Sequence, residues 1–371
     1  MLGPLLPVLA ARWSLNDTQS GYLVAAQFVG SLLGTVFSGF VLSRLAFRWT
    51  MILGVLLMAL GTAALAADGF LCGLAAVFGY GTGIGLTVPA ANLLVAQVSG
   101  EKRSSVLNLL NFFWGAGAVS CPFLLTALRR GEQVSLFIAA LLGFLGMLIV
   151  ALLTVTIRET VPAAQSRASG GFQVRYLKNA HTFAFGAMFF LYVGSETALG
   201  AWLATFAKRT TTTQGEAWMT APAYFYGALL AGRIAGSCIL RYISDLTEAR
   251  LSALLAVGGV AALLYMRTLG GIAITAVLVG LGLSTLYPTA IGLASAALGA
   301  AASRVIGTLF AFSTLGGASI PWLVGYVSTR FGSLRAALLV PLVGCALIAA
   351  LYWNPVLVNY RSTPSTAPVG N

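Results

Sequence analysis

Charge is what this sequence has least of. Asp, Glu, Lys and Arg make up 8% of its 371 residues, where an ordinary soluble domain carries about 25%. Beside 58% hydrophobic residues and a mean hydropathy of +0.91, that scarcity excludes a water-soluble globular domain. With a single histidine, His181, a His-based metal site is implausible. The sequence holds no Walker-type loop, kinase signature or HExxH, so nothing in it can hydrolyse ATP, and no enzyme class, metal or cofactor is indicated. The four cysteines, Cys72, Cys121, Cys238 and Cys345, lie in apolar runs without metal-ligand spacing and read as small buried hydrophobes.

What is present is a succession of apolar runs of the length needed to cross about 30 Å of hydrocarbon. They are too long and too uniformly apolar for barrel strands, and lipid offers the backbone no partners, so an all-α membrane fold is expected. A short piece at 1–11 precedes spans at 21–42, 51–67, 70–98, 106–128 and 134–157. The stretch RETVPAAQSRASGGFQVRYLK (158–178), rich in charge, Ser, Gly and Ala, reads as a linker. Further spans follow at 180–207, 219–240, 251–266, 270–298, 305–327 and 336–353. The expected organisation is a first six-helix half (1–157), the linker, a second half (179–353) and a disordered tail (354–371). Eleven helical residues rise only about 16 Å, so the first segment is expected to be an incomplete helix, with a naturally short one as the alternative.

An internal repeat organises these spans. GYGTGIGLTVPAAN and VGLGLSTLYPTAIG align Gly81 with Gly280, Gly83 with Gly282 and Pro89 with Pro288, all offset by 199 residues. WGAGAVSCPFLL and STLGGASIPWLV align Gly117 with Gly316 and Pro122 with Pro321 at the same offset, and Gly34 matches Gly232 at 198. Two such halves in parallel register are a transporter arrangement, with a substrate site expected near the midplane where they meet. Placing the connection after the second span in the cytoplasm puts twelve basic residues on that side and eight opposite, a positive-inside bias of the right sign. Loop topology and anionic lipid then account for the net charge of +12 without a nucleic-acid partner.

Two six-helix halves with these glycines and prolines resemble the major facilitator superfamily over nearly the whole chain. Its loop motif between the second and third helices is kept in part by GFVLSRLAFR (39–48), with Gly39, Arg44 and Arg48 present. Ser43 stands where the family has aspartate and Ala46 where it has glycine, which leaves the usual gating role of Arg44 and Arg48 in question. NLLNFFWGAGAVSCP from Asn108 and LYVGSETALGAWLATF from Leu191, with Gly194, Glu196 and Trp202 at family spacing, look like the fucose-permease-like branch. The resemblance implies a monomeric bacterial inner-membrane carrier with both termini cytoplasmic. Its partners would be the bilayer, a small polar substrate of the sugar class, and a coupling proton or sodium ion.

Glu196 is the one carboxylate in the run 180–207. An ionised group at a helix centre costs on the order of 2.5–3.5 kcal/mol, so it should face protein or water, and a proton could come and go there as a cavity changes sides. Tyr192 and Gly200 lie one turn either side of it, offering a hydroxyl above and a gap below. Trp202, about 120° off that stripe, could border the cavity and stack on a sugar ring. The competing reading makes Glu196 a structural partner for Arg233, the one cation within a span; Arg233 could equally snorkel to the interface. In the first half, Asn92 one turn past Pro89 and Asn111 at the head of NFFWGAG can bond a substrate hydroxyl or simply a neighbouring helix. Trp114, Tyr226 and Tyr287 are candidate stacking or hydroxyl-binding groups, with packing as the plainer role. The expectation is a secondary active transporter working by alternating access. Efflux of an amphipathic drug-like compound and a non-transporting receptor on the same scaffold are the alternatives.

Overall fold

In hydrocarbon the backbone must satisfy its own hydrogen bonds, and every regular element among the described residues is a helix. The computed structural model describes residues 2–99, 103–129, 134–155, 180–211, 215–239, 242–298 and 302–354. The expected linker lies outside them, as does the expected tail apart from Asn354. The helices are α1 (Leu2–Arg12), α2 (Asp17–Ala64), α3 (Phe70–Val98), α4 (Arg103–Leu128) and α5 (Ser135–Thr154) before the linker. After it come α6 (Ala180–Thr210), α7 (Ala221–Ile239), α8 (Asp245–Leu263), α9 (Leu269–Ser284), α10 (Leu286–Leu298), α11 (Ala302–Phe331), α12 (Leu334–Ala337) and α13 (Leu339–Trp353). Nine helical segments among the described residues are long and apolar enough to cross a membrane, with α2 counted once.

One span differs from the sequence reading, and two others meet more tightly than it suggests. The second and third spans are the two helical arms of α2, which join without a loop at Ala46, the one residue that leaves helical geometry, at φ 58° and ψ 177°. Glycine contacts show that the chain reverses there. Along the first arm, Gly30 meets Phe78 and Gly34 meets Thr82, so that arm runs parallel to α3. Along the second, Gly54 meets Thr87 and Gly61 meets Ala76, so that arm runs antiparallel. The tenth span, read as continuous, is instead broken at Thr285 into α9 and α10.

The same three-helix unit recurs after the linker. Gly232 meets Ser284 and Gly236 meets Thr285, which makes α7 parallel to α9, while Gly259 meets Val279 and Gly282 meets Ala256, which makes α8 antiparallel. Gly81 packs on the Gln27 carbonyl and its repeat partner Gly280 on the Phe225 carbonyl. Lipid supplies no hydrophobic drive between helices, so attraction comes from backbones brought close by small residues, and the repeat keeps those glycines where the contact is tightest. The result is two pseudo-symmetric halves. They meet through α1 against α6, α2 against α11 and α4 against α7. Of the most apolar stretch of each span, 56% is buried in α6 and in α9–α10 but only 17% in α4 and α5, so the former are the more enclosed and the latter the more exposed.

Candidate substrate and coupling site

Helix α6 carries Tyr192, Glu196 and Gly200 on one stripe. Gly200 is where three helices close in: a Cβ there would strike the Tyr226 hydroxyl of α7, and a Cβ on Gly3 of α1 would strike the Gly200 carbonyl. One turn from this contact toward the linker end lies Glu196. Its carboxylate interacts with the Arg233 guanidinium of α7 and lies within hydrogen-bonding reach of the Tyr192 hydroxyl. Tyr226 and Tyr287 also feel its charge, and Tyr287 lies within reach of Ser313 on α11. The Tyr287 ring packs 5.4 Å from Tyr192 and 5.1 Å from Phe189.

These groups are close without satisfying one another. Glu196 and Arg233 form no contact ion pair among those between described residues. The Tyr192 hydroxyl and Arg233 Nε are buried and make no well-formed hydrogen bond among the described residues. Buried polar atoms normally find partners, so donors and acceptors left over around one carboxylate suit a polyhydroxylated guest.

Polar links between the halves cluster at the end away from the linker. Asp17 of α2 takes a bidentate bond from Arg209 of α6 at 2.6 and 2.7 Å and a further one from Ser328 of α11 at 2.5 Å. The Thr18 amide donates to Thr329 at 2.9 Å, and Arg129 pairs with Glu216 at 3.1 Å. Toward the linker end the halves part. A Cβ on Gly115 of α4 would lie 2.9 Å from Leu230 of α7, yet one turn further Asn111 and Ile234 are exposed. Glu196 and Arg233, both partly exposed, sit just below that last closed layer.

The structure thus brings together Tyr192, Glu196, Tyr226, Arg233 and Tyr287. It does not bring Trp202 to them: that ring is 0% exposed, donates Nε1–H to the Pro321 carbonyl at 2.9 Å and borders a separate cavity beside Asp17 and Arg209. Asn92 and Asn111 each donate their amide to a carbonyl of their own helix, Val88 and Leu107, both at 3.0 Å. Trp114 is 56% exposed on α4. Arg44 lies over the Phe40 ring at 4.6 Å, and Arg48 donates to the Val155 carbonyl at the end of α5, at 2.5 Å. Pro89 stands inside continuous α3, whereas Pro288 stands in the first turn of α10, just past the break. Three groups escaped the sequence reading: the Asp17–Arg209 pair, the Arg129–Glu216 pair, and Glu248, a buried carboxylate near the start of α8. All lie at span ends, where charge is ordinary.

The fold and this site define a multi-pass membrane transporter, not an enzyme. Residues 1–321 match the Major Facilitator Superfamily, and the chain belongs to that family. A glucose/galactose transporter of Brucella abortus is 27% identical over 369 residues, covering 93% of this chain and 87% of the relative. A niacin transporter of Acinetobacter baylyi is 31% identical over 163 residues, covering 43% of this chain and 36% of its own length. Among solved structures, a variant of the E. coli fucose:proton symporter is similar at a TM-score of 0.63 and 19% identity, covering 97% of this chain and 95% of that one. A nucleoside transporter is similar at 0.79 and 12% identity, covering 95% and 94%.

Proposed function

We propose that this protein carries a hexose or a related monosaccharide across the bacterial inner membrane by alternating access, coupled to a proton gradient, and acts as a monomer. The observation that carries this reading is the cluster of Tyr192, Glu196, Tyr226, Arg233 and Tyr287, in which a carboxylate stands among three tyrosines and a guanidinium, with the Tyr192 hydroxyl and Arg233 Nε unpartnered among the described residues. Sugar hydroxyls both donate and accept, so they can bridge the carboxylate and Arg233, while the tyrosine rings offer a face to the sugar's C–H groups. The similarity to a glucose/galactose transporter over most of both chains supports the substrate class.

In the proposed cycle the state described here is open toward the linker side, taken as cytoplasmic, and closed outside by Asp17, Arg209 and Ser328. Glu196 takes a proton when the cavity faces outward and releases it when the cavity faces inward. Arg233 supports the release, because a cation nearby favours the carboxylate form. Both steps use groups the chain itself supplies.

Counterflow in proteoliposomes with D-glucose, D-galactose and L-fucose, followed by uptake under imposed pH and sodium gradients, tests the reading. Exchange of at least one sugar, with accumulation driven by the pH gradient, is expected. Binding without exchange would instead support a receptor, and exchange of amphipathic drugs in place of sugars would support efflux.

A further inference from the structure

We propose that Glu248 is a positioning residue for transport: it holds the break between α9 and α10 and thereby fixes where Tyr287 stands in the site. This rests on the reading of Tyr287 given above. Glu248 is 5% exposed. Its Oε1 accepts hydrogen bonds from the Ser252 hydroxyl at 2.8 Å and from the Thr285 hydroxyl, which also lies 3.2 Å from Ser252. Thr285 is the residue between the two helices. The far side of the break is fastened too, because Tyr352 donates to the Leu286 carbonyl at 3.1 Å and Arg250 to the Tyr352 carbonyl at 3.0 Å. Two residues beyond Thr285, Tyr287 meets Tyr192 and the field of Glu196.

The first half provides the control. Its Pro89 aligns with Pro288, yet α3 runs through unbroken, so proline does not by itself break the span. The offset of 198 sets Thr50 against Glu248 and Gly54 against Ser252. Thr50 donates to the Ala46 carbonyl of its own helix, and Gly54 has no hydroxyl to give. The break accompanies the buried carboxylate and its hydroxyls. A buried carboxylate is costly unless hydrogen-bonded, and here both hydroxyls serve Oε1 while Oε2 has no partner among the described residues. Packing alone would favour an apolar residue at this position.

A double-mutant cycle on sugar counterflow tests this, with the best exchanged of D-glucose, D-galactose and L-fucose as probe. Glu248→Ala should raise KM about tenfold with the maximal rate within about twofold, and Glu248→Gln, whose amide oxygen still accepts both hydroxyls, should stay within about threefold. Glu248→Ala combined with Tyr287→Phe should be no weaker than Tyr287→Phe alone. Independently of any sugar, the fluorine resonance of 3-fluorotyrosine at position 287 should shift in Glu248→Ala and hold in Glu248→Gln. Thr285→Val removes the same bond and should reproduce the shift if Glu248→Ala fails to fold. An unmoved resonance, or KM effects that multiply, would overturn the inference. A Tyr287→Phe variant with unchanged KM would instead overturn the reading of Tyr287 as a site residue, and this inference with it.

Discussion

Pro89 and Pro288 occupy the same place in the repeat, and the helices around them differ: α3 passes through, while α9 stops and α10 begins. The polar groups differ in the same sense. The second half aims Glu196, Arg233 and three tyrosines at one another with bonding capacity left over. In the first half, Asn92 and Asn111 return their amides to their own helix backbones. Repetition fixes the glycine contacts that let the halves pack, but it does not fix the chemistry. On the proposed reading, one half recognises the guest and the other chiefly closes against it.

The sharpest way to break this comparison is to remove one polar group from each half. Arg233→Ala should weaken sugar affinity about tenfold or more, since a charged hydrogen-bond partner is worth roughly 1.5–3 kcal/mol, as read by substrate protection or binding titration. In the same assay Asn111→Ala should cost less than about threefold, because its bond to Leu107 is dispensable to the helix. Equal losses would mean that both halves bind the sugar.

A smaller effect is expected at the far end. Asp17→Asn weakens the bidentate bond that joins the halves; with the Arg209 side chain 47% exposed, the change is worth about 1 kcal/mol. That is about a fivefold shift of population toward the outward-open state, visible as a longer distance between spin labels at Ala66→Cys and Arg330→Cys. The smallest effect is at the turn of α2. Ala46 holds φ 58° and ψ 177°, a region open mainly to glycine and worth about 1–3 kcal/mol of strain for other residues. Ala46→Gly should raise the melting temperature in detergent by about 2 °C, after the greater freedom of glycine in the unfolded chain is subtracted, and leave KM unchanged.

Much of the fold was legible because lipid reads sequence by length and polarity. The span 70–98 matches α3 end to end. The reversal inside α2 was legible as a connection between two spans, but its tightness was not, because only Ala46 departs from helical geometry and the residues around it are apolar or basic. Nor was the break at Thr285, since its proline signal is shared with unbroken α3. In the site, Glu196 and Arg233 stood out as lone charges in apolar runs. Asp17 and Arg209 did not, being 192 positions apart and each at a helix end. Glu248 was hidden in SDLTEAR, which reads as a solvated loop ahead of a span placed at 251, whereas α8 begins at Asp245 and buries that turn. Trp202 was misleading in the opposite direction: its ring has the chemistry for stacking, but its one donor is engaged by Pro321.

The central claim is that Glu196 links the proton to the sugar. Its most direct test compares sugar exchange between equal pools with accumulation driven by a pH gradient, in proteoliposomes carrying Glu196→Gln. The account predicts that exchange persists while gradient-driven accumulation is lost and the pH dependence of uptake flattens. Accumulation by Glu196→Gln with the pH dependence of the native protein would contradict it.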